Sequence, residues 1–140
     1  MSYLLDTCVL SEFAKPTPSD RVTAWLNRQR EAELFLSAIV LGEIAKGVSQ
    51  LPDSRRKRRL AAWLHTDVRH RFRGRILPVD EAITLEWGET AGALARDGQA
   101  IGMADGLIGA TARHHALVVV TRNTRDIART GAALLNPWED

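Results

Sequence analysis

The chain has 140 residues, of which 45% are hydrophobic and 26% charged, and its formal net charge is +2. This length and composition predict one compact domain, residues 1–140, with a core that needs no cross-links. The single cysteine, Cys8, excludes a disulfide framework and a cysteine-rich zinc site, and the lack of a signal peptide or of an apolar run near the ~20 residues of a membrane span predicts a cytoplasmic protein.

The first half of the chain alternates short apolar runs with helical patterns. The predicted elements are, in chain order, a short buried strand at 3–5, a turn or short helix through Leu10 and Phe13, a helix that Ser19 or Asp20 can cap, a short strand at 34–37, a helix from Ala38 to Val48 and, after a break at 51–54, a basic helix through Leu60, Trp63 and Leu64. Each strand is therefore followed by a helix.

The second half continues this alternation. Its predicted elements are a short strand at 76–79, a helix from Asp80 that ends at Asp97-Gly98, a helix from Met103 to His115, a strand at 117–121 and a last short strand that includes 133–135. The strand at 117–121 contains β-branched residues and no charge, which is typical of a strand buried on both faces. Strands alternating with helices predict an α/β fold, a parallel sheet between layers of helices.

Three carboxylates stand in apolar surroundings that contain no Lys or Arg. Asp6 follows the first strand, Glu43 lies within 38–45 and Asp105 lies within 101–108. An ionised carboxylate among apolar side chains is costly unless a positive charge compensates it. A divalent cation that prefers oxygen ligands, Mg2+ or Mn2+, would supply that charge and would indicate chemistry on phosphoryl groups.

Each of these acids alone also has a structural explanation. Asp6 can cap a short helix, and Glu43 can lie on a solvated helix surface. Asp105 can cap the helix that follows it, which would leave 103–104 in a loop. The three explanations together are less easily accepted than any one of them.

The predicted topology brings the acids together. In open α/β sheets the functional crevice lies beyond the carboxyl ends of the strands. Asp6 directly follows the first strand, and Asn123 and Asp126 follow the late β-branched strand. Glu43 lies about one and a half turns into its helix, and Asp105 lies near the start of its own. We therefore expect all five side chains to meet at one edge of the sheet.

Positive charge is concentrated between residues 55 and 75. This basic segment contains nine Lys or Arg residues and one acid, Asp67. Such a run is either a solvated helix face or a surface that attracts the phosphates of a nucleic acid. A basic surface near an acidic metal centre would offset the repulsion between those acids and a polyanion.

Four motifs resemble those of PIN-domain nucleases and occur in the same order. They are Leu5–Glu12 for the N-terminal signature, Leu36–Ile44 for the second acid, Ala104–Ala112 for the third motif and Val120–Asp126 for the fourth. The tail Asn136-Pro137-Trp138 is similar to that of the VapC and FitB-like toxins within this family. The resemblance covers essentially the whole chain.

The resemblance implies a PIN-like three-layer sandwich with a central, mainly parallel sheet flanked by helices. It also implies a Mg2+- or Mn2+-dependent endoribonuclease that acts as the toxin of a VapBC-type toxin–antitoxin pair. Asp6 and Asp105 would be the principal metal ligands, and Glu43 would complete the acidic site. Thr7 and Thr121 would orient the acids through their hydroxyl groups. The expected RNA-binding residues are all basic: Lys46, Arg55, Arg56 and Arg58.

Two positions depart from the family pattern. Cys8 stands where relatives commonly have Asn, and Asn123 stands where they often have Asp, with Asp126 three residues later. Either Asn123 or Asp126 can supply the fourth site position. A second metal ion would consequently be held weakly or not at all.

The resemblance also implies partners. These are a cognate antitoxin, an RNA substrate and a second copy of the chain, with DNA contacted only through the antitoxin and no membrane involved. The apolar helices around Trp25 and Trp63 could accept an antitoxin helix, although core packing is the alternative for both rings. The alternative function is an antitoxin-binding module of a DNA-bound repressor with weak or no nuclease activity.

Overall fold

Parallel strand pairing organises the computed structural model, which describes residues 1–139. Within these residues, five strands form one sheet in the order β3-β2-β1-β4-β5, and all four pairings are parallel: β1 (Tyr3–Leu5), β2 (Leu34–Ser37), β3 (Ile76–Leu77), β4 (Val118–Val120) and β5 (Leu134–Leu135). Leu4, Leu5, Val119 and Val120 are fully buried. This burial is expected of strands that are covered on both faces, and the predicted parallel sheet is confirmed.

Helices form the connections between the strands. They are α1 (Thr7–Glu12) and α2 (Asp20–Asn27) before β2, α3 (Ala38–Ser49), α4 (Arg55–Ala62) and α5 (Arg69–Arg71) before β3, α6 (Glu81–Arg96) and α7 (Met103–His114) before β4, and α8 (Thr124–Ala128) before β5. The chain moves toward one sheet edge from β1 to β3 and toward the other from β4 to β5. Right-handed crossovers then place helices on both faces of the sheet, as the predicted sandwich requires.

Polar side chains at the helix starts explain why these helices begin where they do. Each accepts a hydrogen bond from a backbone N–H in the first turn: Ser19 from Val22, Ser37 from Ile39, Ser54 from Lys57 and Asp80 from Ile83. Such caps satisfy donors that the helix itself leaves unpaired.

Helix α7 begins at Met103, as predicted, with Gly102 in the extended N-cap conformation, so residue 105 lies in the first turn and the alternative in which it caps the helix is wrong. Other local features differ from the sequence prediction. Strand β3 ends at Leu77 because the next residue, Pro78, has no N–H to donate. The sequence prediction also lacked α8 and the π-helical segment Trp63–Val68 between α4 and α5.

The two tryptophans proposed as partner contacts have different surroundings. Trp25 is 5% exposed and packs edge-on against Tyr3, with ring centroids 4.9 Å apart. Core packing is therefore the correct explanation for Trp25. Trp63 is only partly buried and leaves part of its ring on the surface. In the described part of the chain, no helix combines the length and apolar character that a bilayer crossing requires.

Candidate metal centre

Strand register places Asp6 and Thr121 side by side. Leu5 of β1 lies opposite Val120 of β4, so the next residue of each strand leaves the sheet at the same edge. The Thr121 hydroxyl donates to Asp6 Oδ2 at 2.6 Å, and the backbone N–H of Thr7 donates to Asp6 Oδ1 at 2.7 Å. Asp6 is 6% exposed. Its carboxylate is therefore fixed at the start of α1, and its predicted capping role is confirmed.

The side chain of Thr7 connects α1 to the second acid. Its hydroxyl donates to Glu43 Oε1 at 2.7 Å. Glu43 lies in α3, which begins directly after β2 and packs against α1. The hydroxyl groups of Thr7 and Thr121 thus contact the acids that they were predicted to orient.

Asn123 connects the third acid to the same edge. Its side-chain amide donates to Asp105 Oδ2 at 3.1 Å, and its backbone N–H donates to the Thr121 hydroxyl oxygen at 2.9 Å. A continuous chain of hydrogen bonds therefore runs from Asp105 through Asn123 and Thr121 to Asp6. Residue 123 is Asn where relatives often have Asp, and its side-chain amide is an uncharged donor to Asp105.

The pKa of the Asp105 carboxyl is raised, which shows how close the acids are. Burial is the largest cause of this raised pKa, followed by the negative charges of Asp6, Asp126 and, more weakly, Glu43, while the hydrogen bond from Asn123 opposes them. All five predicted side chains thus belong to one neighbourhood. Like charges gathered in this way favour binding of a cation.

The donor chemistry fits a hard divalent cation, but the side chains are not arranged as a finished ligand set. Carboxylate oxygens are the ligands that Mg2+ and Mn2+ prefer. Among residues 1–139, no three His, Cys, Asp or Glu side chains are placed to hold one ion as they stand. Binding of such an ion would therefore require side-chain rotation or bridging water molecules.

The Cys8 side chain lies close to Asp6, but its thiol forms weaker hydrogen bonds than the asparagine that relatives commonly have at this position. Its sulfur lies 3.9 Å from Asp6 Oδ2 and 3.7 Å from the Thr121 hydroxyl, and it accepts the backbone N–H of Arg122 at 3.4 Å. Burial raises the pKa of the Cys8 thiol, and the negative charge of Asp6 raises it further, whereas the Arg122 hydrogen bond acts in the opposite direction. The thiol therefore remains protonated at neutral pH and makes only weak polar contacts.

A groove runs from the acids toward the basic segment. Its volume is about 440 Å³, and it is lined by Thr7, Ser11, Ala14, Lys15, Pro16, Glu43, Ile44, Gly47, Val48, Leu51, Arg56, Arg59, Leu60 and Trp63. Lys46, Arg55, Arg56 and Arg58, the predicted RNA-binding residues, are all exposed. Arg59, which belongs to the same basic run, also lines the groove.

Two arginines of the basic segment are structural rather than available to a ligand. Arg71 makes a two-pronged ion pair with Glu31, at 2.7 and 3.2 Å, and Arg75 donates to the backbone carbonyls of Glu31, Leu34 and Arg71. These contacts join the residues that precede β3 to the residues around the start of β2. The expectation that the whole segment forms one phosphate-facing surface is therefore wrong for these two residues.

The carboxyl-terminal tail packs beside the site. The Arg122 guanidinium lies 4.3 Å from the centre of the Trp138 ring, and Arg21 donates to the Trp138 carbonyl. A cation over an aromatic face is an attractive arrangement. The tail therefore restrains the residue that follows Thr121, a contact that the sequence motif alone did not indicate.

Comparisons with known proteins agree with this geometry. The PIN domain family model matches residues 3–133. The toxin FitB of Neisseria gonorrhoeae is 39% identical over 98% of this chain and 99% of its own length. The VapC ribonuclease Y4jK of Sinorhizobium fredii is 35% identical over 97% of both chains, and the tRNA(fMet)-specific endonuclease VapC of Shigella flexneri is 32% identical over 99% of this chain and 98% of its own.

Solved structures show the same relationship in three dimensions. A crystal structure of FitAcB from Neisseria gonorrhoeae superposes with a TM-score of 0.91 at 38% identity over 99% of both chains. A structure of FitAB bound to an IR36 DNA fragment superposes with a TM-score of 0.89 at 37% identity, over 97% of this chain and 95% of that one. The chain therefore belongs to the PIN domain family and is related over almost its whole length to FitB and VapC proteins.

Proposed function

We propose that this chain is a Mg2+- or Mn2+-dependent endoribonuclease and the toxin of a VapBC-type toxin–antitoxin pair. The observation that carries this proposal is the group of acids at the carboxyl ends of β1 and β4, in a chain similar along its length to proteins named ribonuclease and endonuclease. Residues 1–140 would form one nuclease domain that acts in the cytoplasm.

The proposed site assigns a role to each residue. Asp6 and Asp105 are the principal metal ligands, Glu43 completes the acidic site, and Asn123 or Asp126 supplies the fourth position. A bound divalent ion would neutralise phosphate charge and activate water for attack on the phosphodiester. The Thr121 hydroxyl donates to Asp6 and the Thr7 hydroxyl donates to Glu43, and these hydrogen bonds restrain both carboxylates at the same edge of the sheet.

The basic residues beside the groove would guide the RNA. A polyanion is repelled by the uncompensated acids, and exposed cations near them reduce that repulsion. Lys46 lies in the last turn of α3, the helix that carries Glu43. Arg55, Arg56 and Arg58 begin α4 on the other side of the groove. Contacts to phosphates from these residues would not depend on RNA sequence.

We propose a cognate antitoxin as the protein partner, a homodimer as the assembled toxin, and DNA contact only through the antitoxin. Two structural neighbours, FitAcB and FitAB with DNA, support this part of the proposal by their composition. The partly buried Trp63 in a groove next to Glu43 offers a surface that an antitoxin segment could cover. Occupation of that groove would also block access to the acids.

Cleavage of cellular RNA tests the proposed activity. Purified protein should cut total RNA when Mg2+ or Mn2+ is added and should stop when a chelator is added. Asp6→Asn should abolish cleavage, because the amide keeps the shape of the side chain and one acceptor oxygen but removes the charge that binds the ion. Asp97→Asn, which changes an exposed aspartate at the end of α6, is the matched control and should cleave normally.

The alternative, an antitoxin-binding module with weak or no nuclease activity, is favoured by Asn123 and by the absence of a finished ligand set among residues 1–139. The same experiment separates the two functions. No metal-stimulated cleavage by wild type, with antitoxin binding intact, would reject the nuclease and support the module. Cleavage that is lost in Asp6→Asn while antitoxin binding is retained would establish the enzyme.

A further inference from the structure

A second basic site lies beside β3, the outer strand on one side of the sheet. It is a cleft of about 530 Å³, here named the β3 cleft, and it is lined by His65, Thr66, Arg69, His70, Arg73, Gly74 and Ile76. Ile76 is the first residue of β3, and β3 lies two strands away from β1, which Asp6 follows. None of the site acids lines the cleft.

A π-helical turn helps to assemble the cleft. His65 lies within the π-helical segment Trp63–Val68, and His70 follows five residues later in α5. Hydrogen bonds in a π-helix join residues five apart, whereas a regular α-helix turns such residues away from each other. Single π turns occur frequently at functional sites. The turn thus brings both imidazoles to the same cleft as Arg69.

The basic groups of the cleft have no acidic partner among residues 1–139. None of His65, Arg69, His70 and Arg73 takes part in an ion pair or in a side-chain hydrogen bond there. The lining of the cleft contains no Asp or Glu.

The neighbouring arginines show that this arrangement is selective. Arg71 and Arg75 alternate with Arg69 and Arg73 along the chain, yet they turn to Glu31 and to backbone carbonyls. The fold therefore divides one basic run into arginines that hold the structure together and arginines that face a cleft. Guanidinium groups without a protein partner are well suited to bind phosphate oxygens in pairs.

We propose that the β3 cleft binds a backbone phosphate of single-stranded RNA, as a second contact for the substrate of the proposed nuclease. This inference rests on the proposed function. RNA is favoured as the ligand because α4, the π-helical segment and α5 form one continuous helical run that lines both the groove beside the acids and the cleft. The lining contains no Phe, Tyr or Trp side chain, and its arginines offer paired donors to phosphate oxygens, so recognition would be mainly of the backbone and independent of sequence.

Salt-dependent RNA binding tests the inference. All variants carry Asp105→Asn and are studied in chelator, so that RNA is bound but not cut. The probe is a labelled single-stranded RNA of about 20 nucleotides, and each phosphate contact contributes about 0.7 to the salt slope of its binding. Arg69→Gln with Arg73→Gln should weaken binding about tenfold at low salt and reduce the slope by about 1.4. Arg28→Gln with Arg96→Gln removes two exposed arginines elsewhere and should leave the slope unchanged.

Several outcomes would overturn the inference. Equal slopes for the two double variants would show that the cleft makes no phosphate contact. Loss of affinity for double-stranded DNA, with RNA binding unchanged, would assign the cleft to DNA instead.

A melting temperature of the cleft variant equal to that of the control establishes that folding is unaffected. His65→Gln with His70→Gln gives a second reading and should also weaken binding of the same RNA.

The test is separate from the proposed catalysis. In the otherwise wild-type protein with Mn2+, the cleft variant should cleave a dinucleotide as fast as wild type, because the one phosphodiester of that substrate lies at the acids and leaves no phosphate for the cleft. Cleavage of the long RNA should show a raised KM with unchanged kcat. If no protein cleaves any RNA, the proposed nuclease fails, while the binding result still decides whether the cleft holds RNA.

Discussion

Asp6, Glu43 and Asp105 are each held by an uncharged donor. Asp6 accepts from the Thr7 backbone and the Thr121 hydroxyl, and Asp105 accepts from the Asn123 amide. Such donors orient a carboxylate without neutralising it. The negative charge of the group therefore remains available to a cation.

The buried hydroxyl of Thr121 should be important for both stability and metal binding. Thr121→Val keeps the side-chain volume but removes the donor to Asp6 and the acceptor for the Asn123 N–H. Because Thr121 is fully buried, water cannot replace these bonds, and the free energy of unfolding should fall by about 1–3 kcal/mol. Urea unfolding measures this change. Thr121→Ser retains the hydroxyl as a control, and a valine variant as stable as the serine variant would contradict the assignment.

The raised pKa of the Asp105 carboxyl predicts that metal-free protein loses stability as pH rises. Burial, and then the charges of Asp6, Asp126 and Glu43, make the folded state bind this proton more tightly than the unfolded chain does. The free energy of unfolding should therefore decrease as pH rises from the ordinary aspartate pKa to the raised pKa of Asp105. Asp105→Asn removes this effect.

Melting temperatures in chelator at a series of pH values check this prediction. The Asp105→Asn variant should melt above wild type at neutral pH, and the difference should shrink as the pH falls below the ordinary aspartate pKa. Asp97→Asn should show no comparable gain, since its carboxyl is exposed. A constant difference at every pH would mean that the gain does not come from ionisation of Asp105.

At the level of elements, the position of the acids depends on close packing beside α7. A Cβ atom at Gly109 would lie 2.2 Å from Thr130 Oγ1 and 2.5 Å from Thr130 Cβ. Thr130 is buried and follows α8, the helix that carries Asp126. Helix α7 carries Asp105. The missing side chain at 109 thus lets two acid-bearing helices approach each other.

Gly109→Ala should therefore reduce both stability and metal binding. Overpacking of this kind lowers the free energy of unfolding by about 1–3 kcal/mol, and a shift of α7 against α8 would separate Asp105 from Asp126. Gly92→Ala is the matched control, because a Cβ there meets nothing within 4 Å and should stabilise α6 by about 0.5–1 kcal/mol. Urea unfolding of both variants gives the comparison. Equal gains from the two alanines would show that the packing at Gly109 is loose.

Local patterns in the sequence identified the elements with strong signals. The β-branched run at β4, the cap Ser19, the start of α6 beside Asp80 and its end near Gly98 are confirmed. Helix α8 was not predicted because its five residues are too few to show a helical period. The π-helical segment was not predicted because six residues are too few for the hydrophobic pattern to distinguish a π-helix from an α-helix.

The identity of the site residues was more predictable than their contacts. Isolation of Asp6, Glu43 and Asp105 among apolar residues is visible in the sequence. Leu5 pairs with Val120, and this pairing places Asp6 beside Thr121. The two strands are far apart in the sequence, so no local sequence pattern predicts that they pair. For the same reason, the run of basic residues alone could not predict the ion pair between Arg71 and Glu31. The functional roles of the site residues stay predictions.

At the scale of the whole molecule, acidic and basic groups occupy different places along the sheet. The acids gather beyond the ends of β1 and β4, near the middle of the sheet, while exposed arginines lie on α4 and around the cleft beside the outer strand β3. A polyanion bound along such a surface would meet cations first and acids only at the point of cleavage. The arrangement accounts for a net charge of only +2 in a chain proposed to bind RNA.

The central claim is that the acids form a divalent metal centre, and calorimetric titration with Mn2+ tests it most directly. Wild type and Asp97→Asn should bind Mn2+ equally. Changes to outer-shell partners of a metal already weaken binding by about 10–100-fold, so Asp105→Asn, which alters a proposed ligand, should weaken it at least tenfold. Equal binding by all three proteins, or no binding by wild type, would contradict the claim.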